Sequence, residues 1–257
     1  MPLKRPTTAR FTVAGTAAPL TAALPLAERI HLALVSLSDG APVFTGCDSE
    51  GKPLQGHGHA HILCECCPGE QEQGEITHVT VYAHMGFGPR EQAALHGLNR
   101  VWGPDGPGVE LALQGLGRPE DFAGKSSLLA KSRSWVSRTP FLPTRHPKRT
   151  RAGVAKRDGT GLQMGSPEHD LLRLLEQAGL PRPVMVEKVA GTMLGGREMR
   201  WESFQCRRRE GGGRRAGESS GFRILFPEAV QGPVAVGYAS HFGMGGFVGD
   251  GPKCIDL

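Results

Sequence analysis

Apolar positions along this chain follow two spacings, every second residue and every third to fourth, and their order outlines the secondary structure. Residues 9–14 (ARFTVA) read as a short strand. Residues 21–36 set Leu24, Ala27, Ile30, Leu34 and Val35 on a helical stripe, with Pro25 tolerable in the first turn. Turn-forming residues fill 38–56, and a strand is predicted over 59–64. Residues 77–83 (THVTVYA), β-branched and aromatic, give the clearest strand pattern. Pro89 opens a helix predicted to reach residue 102, its apolar face marked by Ala93, Ala94, Leu98 and Val101. Residues 109–115 (VELALQG) alternate again.

A second series follows. A strand is predicted over 134–142, then a long mobile loop over the basic, Gly-containing residues 143–164. Ser166 is placed as an N-cap with Pro167 at the first helical position, and Gly179 stops that helix after 178. Strands are predicted over 183–189, 198–207 and 222–226, with a Gly/Arg turn at 210–217. The chain then runs through GPVAVGYASHFGMGGF. The first series is β-α-β-β-α-β, the order of a ferredoxin-like unit, and the second repeats it less cleanly. The expected class is α+β, with two tandem ferredoxin-like (RRM-like) domains over 1–130 and 131–257 and a C-terminal glycine-rich loop.

Charge changes the picture through its distribution. Thirty Lys+Arg against 25 Asp+Glu give a formal +5 over 257 residues. Residues 131–157 hold nine Lys/Arg and no acid, and Arg207, Arg208, Arg209, Arg214 and Arg215 form a second cluster. Such segregation suits a polyanion, nucleic acid before anionic membrane; the plain alternative is a solvated basic loop. No apolar run resembles a signal peptide or reaches the length of a membrane span. Three of the six cysteines, Cys64, Cys66 and Cys67, lie within four residues, which is not a disulfide framework. A cytoplasmic protein with reduced thiols and no membrane partner is expected.

Candidate chemistry centres on His57, His59 and His61, which would line one face of an extended strand. Three imidazoles could bind a metal, since a catalytic zinc needs three protein ligands. No second C-x-x-C or H-x-x-x-H pair supports that, and acid–base work or a surface row without a role are the alternatives. The block SRTPFLPTRHPK (137–148) combines backbone-pinning prolines with Arg138, Arg145, His146 and Lys148, followed by Arg149; Lys131 and Arg133 precede it. Trp135 and Phe141 offer stacking surfaces for unpaired bases. In the closing segment, Gly237, Tyr238, His241, Gly243 and Gly245 could bring backbone amides against a phosphate, or form only a tight turn. His78 fits an H-x-T-x motif of two-histidine phosphoesterases, but the second motif is missing, and it is read as a strand residue.

With these blocks in view, the chain resembles the repeat-associated RNA-binding (RAMP) proteins of CRISPR systems. It is most similar to the C-terminal, RNA-processing half of the fused scaffold/endoribonuclease subunit of a rare type I subtype. The matching pieces are GHGHAHIL at 56–63, THVTVYA at 77–83, GFGPREQAAL at 86–95, SRTPFLPTRHPK at 137–148 and GYASHFGMGGF at 237–247. The resemblance implies metal-independent, cofactor-free cleavage of precursor CRISPR RNA within its repeats, leaving a 2′,3′-cyclic phosphate. On that basis His59 and His61 would serve as base and acid, with His57 the third choice. Lys148 or Arg145 would stabilise the charged phosphorane, with His146 and His241 in reserve. Implied partners are CRISPR repeat RNA and subunits of a type I effector complex. In the fused family a scaffold-like half precedes this region, so either a split or stand-alone version or a truncated piece of the fused one is expected. The CECC run at 64–67 departs from the family pattern. Two other readings remain open, a non-catalytic RNA-holding subunit and a zinc-dependent hydrolase.

Overall fold

A computed structural model describes residues 5–15, 18–56, 58–66, 74–103, 108–208 and 218–250. The first part comprises β1 (Thr8–Ala14), α1 (Ala23–Leu37), α2 (Pro42–Thr45), β2 (His61–Glu65), β3 (His78–Tyr82), α3 (Pro89–Gly97), β4 (Arg100–Val101) and β5 (Val109–Gly117). They build an antiparallel five-stranded sheet in the order β2-β3-β1-β5-β4. Register places Phe11 opposite Val79 and Val79 opposite Cys64. One sheet face therefore carries Ala9, Phe11, Ile62, Cys64, Val79 and Val81, all buried in one core with Leu24, Ala27, Ile30 and Leu34 of α1.

The opposite face of that sheet carries polar groups beside Leu63, and they too are buried. Arg10 and Glu65 form an ion pair at 3.4 Å while only 2% and 6% exposed. Charges held this far from water persist only when further polar groups satisfy them. Thr80 Oγ1 and Ser126 Oγ both donate to the Glu65 carboxylate, and Arg10 Nη1 donates to Gln114 Oε1 at 2.7 Å. His61 and Tyr82 are cross-strand partners at the end of this face.

The second part comprises β6 (Lys131–Ser137), α4 (Pro167–Gln177), β7 (Met185–Val189), β8 (Gly191–Leu194), β9 (Arg197–Arg200), β10 (Gly221–Gln231), β11 (Val234–Ala235) and β12 (Gly246–Gly249). Its main sheet runs β11-β12-β6-β10-β7, with β8-β9 as a separate hairpin. Ordered by appearance, β2-β3-β1-β5 and β7-β10-β6-β12 are the same arrangement: second, third, first and last strand. Trp135, Phe141, Leu171, Leu175, Phe222, Ile224 and Phe247 form its core. Ser166 caps α4 by accepting from His169 N, with Pro167 at the first position, as the sequence indicated. Between β10 and β12, where a helix would complete the series, stands the 3-10 turn Ser240–Phe242.

Four expectations change. The helix opened by Pro89 ends at Gly97, because the next residues pair as β4 with β5. The strand predicted over 198–207 is replaced by the β8–β9 hairpin, which turns at Gly195 and Gly196, both with positive φ. After it Trp201 turns inward, its indole N–H donating to Val189 O, and joins the core of the first part. Residues 143–164 are a pair of hydrogen-bonded turns rather than an unstructured loop, with Lys148 N bonded to Met164 O and Lys156 N to Lys148 O. Finally, Leu20–Leu37, 18 residues of mean hydropathy 1.4, does reach the length and apolarity of a membrane span. Its Leu24, Leu26, Ala27, Ile30 and Leu34 are buried in the core, which is where a core helix needs its apolar stripe.

Candidate functional site

The histidine row is not a row on one strand. β2 begins at His61, while His59 lies in the bend before it; His57 lies outside the described residues. What brings imidazoles together is the distant segment at 240–242. The His59 and His241 rings stack with centroids 3.6 Å apart and an 11° interplanar angle. His61 lies 3.9 Å from the same His241 ring, tilted by 37°. Two rings cannot share one face at under 4 Å, so His241 is sandwiched between the other two.

Backbone carbonyls fix this stack from both sides. His61 Nδ1 lies 3.2 Å from Ser240 O, and His241 Nδ1 lies 3.1 Å from Ala60 O. A carbonyl only accepts, so each Nδ1 carries the proton and each Nε2 holds the lone pair of the neutral ring. The two contacts are reciprocal and tie residues 60–61 to residues 240–241. His59 is seated by Gly46, a left-handed helix cap with φ +69, where a Cβ would meet the His59 ring at 2.9 Å.

The turn carrying His241 is held by the block at 137–148. Thr139 Oγ1 donates to Gly243 O at 2.7 Å and accepts from Gly246 N at 2.9 Å. Gly245 N bonds to Pro140 O, and Tyr238 N to Leu142 O. Gly237, Gly243 and Gly245 all have positive φ, and a Cβ on any of them would crowd a backbone carbonyl. These glycines are required by close packing within the protein itself.

A second layer lies behind the stack, and sequence reasoning missed it. His31 of α1 makes an edge contact with Phe242, ring centroids 5.2 Å apart. Burial, then the charges of Arg208 and His59, lower its pKa from 6.5 to about 4. Arg208 lies over the Phe242 ring at 4.1 Å and pairs with Glu28 at 3.1 Å. The arginine cluster was visible in the sequence, but nothing in its spacing joined Arg208 to His31 and Phe242.

A scan against protein-family models finds no match, and neither does a search of curated proteins. Among solved structures, the chain aligns with one described as "an RAMP protein binding different RNA substrates". Identity is 12%, the TM-score is 0.39, and the match covers 95% of this chain and 99% of that one.

The cations fall into separate places. Lys131 and Arg133 are exposed on β6. Arg138 is half-buried and donates to Met193 O at 2.8 Å, holding the β8–β9 hairpin. Arg145, His146, Lys148 and Arg149 are exposed along the double turn. Among the described residues, neither Lys148 nor Arg145 forms a hydrogen bond or ion pair with the imidazole stack. Stacking brings ring faces together rather than lone pairs, and among the described residues no group of three His, Cys, Asp or Glu side chains could hold a metal. Cys64 and Cys66 are buried, and burial pushes the Cys64 thiol far up; Cys67 lies outside the described residues. Beside the stack opens a cleft of about 540 Å³ between the two parts, with His61 and Ser240 in its wall.

Proposed function

We propose that the chain is a RAMP-superfamily RNA-binding protein of a CRISPR system, and that it cuts precursor CRISPR RNA within its repeats at the His59–His241–His61 stack. The motif blocks at 56–63, 137–148 and 237–247, separate in sequence, supply the stack and the turn that holds it, and this convergence carries the reading. The shared strand arrangement of the two sheets supports two ferredoxin-like units. The segregated basic segment supports a polyanionic substrate.

The chemistry needs one neutral and one protonated imidazole. The neutral ring takes the proton of the ribose 2′-OH at Nε2. The 2′-oxygen attacks phosphorus in line, the bond from phosphorus to the 5′-oxygen breaks, and the protonated ring gives its proton to that oxygen. The products are a 2′,3′-cyclic phosphate and a 5′-hydroxyl, with the two rings' protonation exchanged. Stacked imidazoles suit this division, because two imidazolium rings under 4 Å apart repel, so the stack takes its first proton far more readily than its second.

The test is cleavage of end-labelled repeat RNA in EDTA, with mapping of the termini. We expect cleavage with a cyclic phosphate, and none when the nucleotide before the cut is 2′-deoxy. His241→Ala and His61→Ala should each slow cleavage by at least about a hundredfold, the usual scale for a general acid or base, with RNA affinity nearly unchanged. Cleavage of the 2′-deoxy RNA, or loss of activity in EDTA, would overturn the mechanism.

A further inference from the structure

The cleft beside the stack has no Lys, Arg, Asp or Glu among its described lining residues, and His61 stands at its edge on the stack. That is unusual placement in a chain with 30 Lys+Arg and 25 Asp+Glu. A phosphate entering it past His61 would lose water without meeting a lysine or arginine of the wall, which is strongly unfavourable. The walls instead pair apolar surface with neutral hydrogen-bonding groups. Leu174, Leu180 and Val236 supply the first, while Gln55, Gln177 and Tyr82 supply the second. At about 540 Å³, the cleft is within the size range of small-ligand sites.

One wall is built rigidly. Gln177 Oε1 accepts from Arg173 Nη1 at 2.7 Å, which leaves the amide NH2 to act as donor. Arg173 is held by Asp170 at 2.6 Å, and Asp170 is fully buried. The same carboxylate accepts from Thr144 N and Thr144 Oγ1, at 2.6 and 2.9 Å. Thr144 stands in the cleft wall, and Arg145, the first cation of the double turn, follows it directly.

A nucleobase is neutral, flat, apolar on its faces and polar along its edge, which is what these walls complement. We propose that the cleft is a nucleobase pocket, taking one unpaired base next to the imidazole stack and reading its edge through Gln177, while the phosphates stay outside the cleft. The choice of ligand rests on the RNA-processing reading; binding in the pocket does not depend on cleavage.

The test uses free adenosine, guanosine, cytidine and uridine, each added to the full chain and followed by saturation-transfer NMR. At least one should bind. Gln177→Ala should weaken it by about tenfold, the worth of one hydrogen bond. Ala178→Trp, at an exposed position lining the cleft, should abolish it, with circular dichroism confirming the fold. Absence of nucleoside binding, binding that survives Ala178→Trp, or competition by inorganic phosphate would overturn the proposal. Cleavage of repeat RNA separates the two ideas. Equal processing by the parent chain and Ala178→Trp removes the pocket alone. A nucleoside held in the cleft of a protein that neither binds nor cuts RNA removes the RNA-processing reading and leaves the pocket.

Discussion

His31 shows what burial and neighbouring charge do to one imidazole. Its folded-state pKa is about 4 against 6.5 for the free side chain, through burial first and then the charges of Arg208 and His59. It stays neutral down to about pH 4. The same shift has a consequence for stability. Between pH 6.5 and about 4 the unfolded chain binds the proton at this position and the folded chain does not. The contribution is therefore fully present above pH 6.5 and is lost as pH falls through that window. Denaturant unfolding between pH 7.5 and 4.5 should show the parent protein losing stability more steeply than His31→Gln. Parallel curves would mean that His31 titrates as it does in the unfolded chain.

At the scale of elements, the reach of sequence reasoning depended on whether an element's cause was local. Strand β3 and helix α4 were legible because alternation, a Ser-Pro cap and a stopping glycine all lie within or beside the element. The end of α3 and the β8–β9 hairpin were not, since pairing with β5 and burial of Trp201 decide them from outside. The site divides the same way. His59 and His61 were found by spacing, whereas His241 joins them only because its turn packs on β2, and that turn depends on Thr139. The Thr139 hydroxyl, 3% exposed, satisfies Gly243 O and Gly246 N together. Thr139→Val keeps the shape and strands both groups. It should cost about 1–3 kcal/mol of stability, the penalty for leaving buried polar groups unpaired. Cleavage should fall with it as His241 loses its seat. Thermal melts and cleavage rates measured below the melting range check both effects; an unchanged rate would disconnect Thr139 from the stack.

Across the whole molecule, the imidazole stack and the exposed cations of the double turn are separate, and under the proposed reading this separation predicts distinct kinetic signatures. The stack joins the two parts of the chain, while Arg145, Lys148 and Arg149 line an exposed double turn and, among the described residues, form no hydrogen bond or ion pair with it. If RNA binds as proposed, cations so placed would act on its backbone by releasing counterions, each phosphate contact adding about 0.7 to the slope of log affinity against log salt for a single strand. The double variant Lys148→Ala/Arg149→Ala should therefore weaken RNA binding at every sequence and flatten that slope by about 1.4, for two contacts. Because neither side chain reaches the imidazoles, single-turnover cleavage with protein far above its dissociation constant should keep its rate. A variant at Lys148 alone that lowers the saturated rate while the salt slope stays put would instead place this lysine at the scissile phosphate. Titrations at 50 and 200 mM salt, paired with saturated single-turnover rates, separate an electrostatic guide from a group acting on the phosphorane.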